Sequence, residues 1–148
     1  MAGTTKVAGE SATFTEEERA AMKARSQEVR AERRRGAAAD QTAEVLEKIA
    51  SFGEPDRALA QRVHEIVVAA APHLAPRLWY GMPAYAKDGK VMCFFKPAQK
   101  FRMRYATLGF EDPASLDEGT MWPTVWALTE ITDEVAEQIA ALVTRAAA

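Results

Sequence analysis

The tetrapeptide Lys87-Asp88-Gly89-Lys90 constrains this chain more than any other stretch. Asp-Gly at the centre of a two-residue loop accepts positive φ at both positions. That is what a type I′ turn needs to match the twist of two antiparallel strands. The flanking residues have no helical spacing, and all of 77–128 reads as strand and turn. Lys96-Pro97-Ala98-Gln99-Lys100 predicts a second hairpin with a short loop. Residues 121–128 predict a last strand, which Pro123 places at an edge or a bulge.

Tight turns at both places fix a register. The first pairs Ala86 with Val91, Tyr85 with Met92 and Ala84 with Cys93. The second pairs Phe95 with Phe101, Phe94 with Arg102, Cys93 with Met103 and Met92 with Arg104. Opposed residues share a face and faces alternate along a strand. One face then carries Ala84, Ala86, Val91, Cys93, Phe95, Phe101, Met103 and Tyr105 and should pack on helices. The other carries Tyr85, Lys87, Lys90, Met92, Phe94, Lys96, Lys100, Arg102 and Arg104. Two readings fit this second face. It is a solvated surface whose Lys and Arg stems cover apolar groups, or it binds an anionic or flat-ringed ligand through Tyr85, Lys90, Met92, Phe94, Arg102 and Arg104. A one-residue slip in register would exchange the faces.

Four helices surround this region. Thr15 and Glu18 have capping-box spacing, so the first helix starts there and runs to Arg35, with Gly36 as its stop. Its apolar stripe is thin: Phe14, Met22 and Val29. In the second helix Val45, Leu46, Ile49 and Phe52 form the stripe, and Gly53 ends it. Pro55 opens the third, with Leu59, Val63, Ile66, Val67 and Ala70 inward and Pro72 as the stop. The last follows Thr132 and buries Val135, Ile139, Leu142 and Val143. Residues 1–12, rich in small and polar residues, read as a disordered tail. The predicted class is α+β: an antiparallel sheet of about five strands against helices, with an extra N-terminal helix. Residues 1–36 form tail and charged helix, and 37–148 form the main domain.

The 148 residues suit one domain with a real core. Net charge is −2, but residues 77–104 carry seven cations and one anion, while 105–148 carry one and eight. A basic centre and an acidic C-terminal third bear on partners more than on fold. The pI of about 5.8 argues against nucleic acid as the partner of the basic face. There is no apolar signal core at the start and no membrane-length apolar run. One cysteine, Cys93, allows no internal disulfide, which suits the cytoplasm.

The residues 79–95, WYGMPAYAKDGKVMCFF, preceded by the helix at 56–74 and followed by KFRMRYATLGF, resemble the YdhG-like family of domains of unknown function. The resemblance covers about residues 40–146. Gly81 to Tyr85 and Gly89-Lys90 are its most specific elements. Members of that family are often described as intracellular iron chaperones or frataxin-homologue-like proteins. The resemblance implies a compact α+β fold with a small antiparallel sheet, and no catalytic residues.

The remaining chemistry is sparse. His64 lies beside the apolar stripe of the third helix, and His73 follows Pro72. Cys93 falls on the predicted core face, where thiols are inert. No HExxH, CxxC, GxSxG or P-loop pattern is present. Iron would need oxygen ligands, with Glu111, Asp112, Asp117, Glu118, Glu130, Asp133, Glu134 and Glu137 as the candidates. The sequence thus predicts a non-enzymatic cytoplasmic binding or carrier protein, in iron handling by resemblance. The alternative is an anionic small molecule or an acidic protein partner on the cationic face.

Overall fold

The computed structural model describes residues 14–35 and 40–148. The expected tail at 1–12 and the helix stop at Gly36 lie outside the described residues. The elements run α1 (Glu16–Arg35), α2 (Thr42–Ala50), α3 (Asp56–Ala70), β1 (Ala75–Trp79), β2 (Met82–Lys87), β3 (Lys90–Lys96), β4 (Ala106–Phe110), β5 (Val125–Leu128) and α4 (Asp133–Ala147). The five strands form one antiparallel meander in the order β1-β2-β3-β4-β5. This is the α+β architecture with an N-terminal helix that the sequence predicts.

Local signals set the helix starts. Thr15 N–H donates to Glu18 Oε1 (2.8 Å) and Glu18 N–H to Thr15 Oγ1 (3.0 Å), a closed capping box. Thr132 Oγ1 accepts from Val135 N–H at 3.2 Å and starts α4. The inner sheet face and α2, α3 and α4 enclose the core, where Val45, Ile49, Val63, Val67, Phe95, Leu108, Ile139 and Val143 are all buried. Each large side chain so buried contributes about 1.5–3 kcal/mol. Two stripes need correction. Leu46 is exposed, because α2 ends at Ala50 and presents only Val45 and Ile49 inward. Phe14, just before α1, and Met22 within it are also exposed. That helix docks instead through Ala21, which is buried.

The first hairpin turns where predicted, with Asp88 at φ 51° and Gly89 at φ 81°. Beyond it the register departs. Ala86 faces Val91, but Tyr85 faces Cys93 and Ala84 faces Phe94, so Met92 is an extra residue in β3. This bulge reverses which β2 side chains face the helices. Tyr85 joins Cys93, Phe95, Leu108 and Phe110 inside, while Ala84 and Ala86 lie on the outer face beside Phe94. Gly109 stands opposite Phe94, and a Cβ there would sit 2.2 Å from Phe94 Cζ. The bare glycine lets the Phe94 ring lie flat on the sheet.

The second hairpin is not tight. β3 meets β4 at Cys93↔Phe110 through Lys96↔Thr107, so residues 97–105 form one loop. Phe101, Arg102, Met103 and Arg104 therefore lie outside the sheet. Arg102 and Arg104 are exposed, and so is Met103, because strand alternation does not apply there.

Tyr85 is fully enclosed and its hydroxyl lies 2.9 Å from His64 Nδ1. Burial lowers the His64 pKa from its usual 6.5, the charges of Glu65 and Asp40 opposing this. The neutral imidazole and the Tyr85 hydroxyl share this hydrogen bond, and burial raises the Tyr85 pKa. A histidine pKa lowered by folding means that the unfolded chain binds more protons just below pH 6.5. Stability is therefore full above that pH and declines as pH falls below it. His64→Gln, which keeps an acceptor and cannot titrate, should flatten this part of the profile in urea titrations. An unchanged slope would contradict the pairing.

Candidate functional site: the basic end of the sheet

Three chain segments meet at one end of the sheet: the β1–β2 turn, the loop 97–105 and helix α1. The turn is Tyr80-Gly81, with φ of 54° and 76°. Its two backbone N–H groups donate to the two carboxylate oxygens of Glu28, at 2.6 and 2.7 Å. Glu28 is only 8% exposed and has Arg25 at 3.7 Å. The Arg25 guanidinium also lies 5.7 Å from the Tyr80 ring centroid. A non-glycine residue at positive φ costs on the order of 1 kcal/mol, and these contacts offset it.

Asp56 positions the loop. This first residue of α3 is 2% exposed, and its carboxylate accepts the N–H groups of Ala98 (3.0 Å) and Gln99 (2.9 Å). The loop then carries Lys100, Phe101, Arg102 and Arg104 across the sheet end. Lys96 and Lys100 lie 5.0 and 5.7 Å from the Phe101 ring centroid, and Arg104 lies 5.2 Å from that of Tyr105. Arg102 pairs with Glu17 of α1 at 2.7 Å, with its side chain 76% exposed.

Lys100 is the unusual cation. It is half-buried, and its ammonium reaches the turn, where a Cβ on Gly81 would lie 2.2 Å from its Nζ. Burial lowers its pKa from the usual 10.5, the charge of Lys48 on α2 lowers it further, and Glu28 opposes both. Lys48 and Lys100 line one cavity of about 310 Å³ together with Ser51, Phe52, Gly53, Asp56, Pro97 and Gln99. Both oxygens of Asp56 are occupied by the loop amides. The Ser51 hydroxyl donates to Lys48 O at 2.5 Å, so the cavity has two lysines and the Gln99 side-chain amide to offer an anion.

The six side chains expected on one face are divided by the structure. Tyr85 and Met92 are in the core, because the bulge at Met92 turns both inward. Lys90 is at the Asp88-Gly89 turn, opposite Lys87. Phe94 is half-buried on the outer face, 5.3 Å from Trp79, which in turn lies 5.1 Å from Tyr80. Arg102 and Arg104 belong to the basic end through the loop. Sequence reasoning did not find Lys48, Trp79 or Arg25. Lys48 sits on a helix read only for its apolar stripe, and no local pattern marks any of the three.

Elsewhere, Cys93 is fully buried and burial pushes its thiol up to about 12, so it stays protonated at neutral pH. Glu111, Asp112 and Asp117 line a cavity of about 360 Å³, while Glu118 pairs with Arg145 at 3.2 Å. Among the described residues no three His, Cys, Asp or Glu side chains are grouped so as to hold a metal ion. Among them, too, no helix is long and apolar enough to cross a membrane. No family model, curated protein or solved structure matches the chain.

Proposed function

We propose that the protein is a non-enzymatic cytoplasmic binding protein that carries an anionic small molecule at the basic end of the sheet. The observation that supports this reading is the half-buried Lys100, which lines one cavity together with Lys48. The charge of Lys48 disfavours the Lys100 ammonium. A phosphate or carboxylate between them relieves that repulsion and gains charge-assisted hydrogen bonds. Phe101, under Lys96 and Lys100, offers a ring face to a flat ligand.

Carriage of iron, which the YdhG-like resemblance implies, is less well supported. The carboxylates around the Glu111–Asp117 cavity do not form a three-ligand group.

A thermal-shift screen of phosphorylated, carboxylated and nucleotide compounds tests the proposal. A ligand at about 100 times its Kd adds roughly 2.7 kcal/mol of stability, a shift of several degrees. Lys100→Met keeps the stem, removes the charge and should abolish the hit. Arg102→Ala should weaken it only a few-fold, because that guanidinium is solvated and already paired with Glu17. Binding should weaken as pH rises through the lowered pKa of Lys100. A hit that survives Lys100→Met would place the ligand elsewhere.

A further inference from the structure

The two edges of the sheet are finished differently. The β1 edge is closed: Gln41 donates its backbone N–H to Pro76 O (2.9 Å), and its side-chain Oε1 accepts from Leu78 N–H (3.2 Å). The β5 edge pairs with β4 alone among the described residues. Phe110 N–H donates to Thr124 O at 2.8 Å, and this fixes the alternation along β5. Trp126 and Leu128 turn their backbone toward β4, so Val125 and Ala127 turn theirs outward. Open edges are commonly blunted by lysines or inward-pointing charges. β5 is Val-Trp-Ala-Leu and carries none; Pro123 blunts the edge just before it and leaves Val125 and Ala127 open. Val125 is 56% exposed and nearby Met121 90%.

Beneath this edge, between β5 and α4, lies a cavity of about 520 Å³ lined by Trp126, Leu128, Val135, Ile139 and Leu142, with Glu130 among its polar groups. Residues 105–148 carry eight acidic side chains and one basic one. We propose that the β5 edge and this cavity dock an extended, basic segment of a partner protein, which adds to the sheet as a further strand. Its main chain pairs with the outward groups of Val125 and Ala127. Its side chains alternate: those beside Trp126 enter the cavity and are apolar. Its Lys and Arg residues meet Glu130, the charged residue of the cavity wall. A second copy of this chain fits less well, since its own β5, Val-Trp-Ala-Leu, has no basic side chain to meet Glu130. This surface is separate from the lysine cavity and does not depend on it.

A display library of short random linear peptides, panned on the full chain and counter-selected on Ala127→Pro, tests the proposal. The Ala127 N–H points outward, so proline there deletes a docking donor and no bond to β4. Enriched peptides should alternate apolar residues with Lys or Arg. The best of them should bind Ala127→Pro and Glu130→Lys at least about tenfold more weakly. It should also protect the Val125 and Ala127 amides from hydrogen exchange. Should Ala127→Pro lower the melting temperature, that exchange measurement on the unmodified chain decides alone. Enrichment of acidic or neutral peptides, or of none, would overturn the proposal. So would protection elsewhere, or a dimer in sedimentation that Ala127→Pro dissolves, which would assign the edge to a second copy.

Discussion

Asp56→Ala is expected to lower stability by about 3 kcal/mol, through two hydrogen bonds from a buried carboxylate to backbone amides. Such bonds contribute roughly 1.5–3 kcal/mol each, and the substitution also leaves the Ala98 and Gln99 N–H groups without their acceptor. For a domain of this size the melting temperature should fall by roughly 10 °C. Asp56→Asn, which keeps one carbonyl oxygen, should lose about half as much. The consequence reaches function, because the same two bonds hold the loop that presents Lys100. Ligand affinity should therefore fall in both variants even at temperatures where the fold is intact. A loss under about 1 kcal/mol in urea titrations of Asp56→Ala would show that the loop holds itself.

Glu28→Ala should release α1 while leaving the sheet in place. The carboxylate is the anchor of this helix: it occupies both N–H groups of the Tyr80-Gly81 turn, whereas the apolar contact beneath is made by small residues such as Ala21. The exposed Arg102–Glu17 pair contributes well under 1 kcal/mol. Removing the anchor costs about 2–3 kcal/mol. Amides of α1 should then lose hydrogen-exchange protection while those of β2 and β3 keep theirs. An α1 that stays protected in Glu28→Ala would contradict this.

The parts of the fold that were legible in the sequence are those set by neighbouring residues. Thr15 with Glu18, Thr132 before α4, and Asp88-Gly89 all act within a few positions, and each does in the structure what its chemistry dictates. The parts that were not legible depend on distant residues. Pro97-Ala98-Gln99 resembles a short turn, but the loop is wider because Asp56, 42 residues earlier, binds its amides. The Met92 bulge has no local marker, and it alone moves Tyr85 from the presumed ligand face to the core. The basic character of the region was readable from 77–104. Its focus was not, because Lys48 and Lys100 are brought together by the packing of α2 against the sheet. The α1 stripe misled for a related reason: the helix docks by a carboxylate and alanines, which a search for large apolar residues overlooks.

The central claim is that Lys48 and Lys100 form a site for an anion, and the titration of Lys100 tests it most directly. In protein carrying carbon-13 at the lysine Cε positions, Lys100 can be followed against pH, assigned by its loss in Lys100→Met. Without ligand it should titrate below the usual 10.5, because it is half-buried beside Lys48. Saturating pyrophosphate, a compact anion, should move that titration upward, since the bound charge favours the ammonium form. A Lys100 that titrates at its ordinary value and does not respond to pyrophosphate would contradict the account.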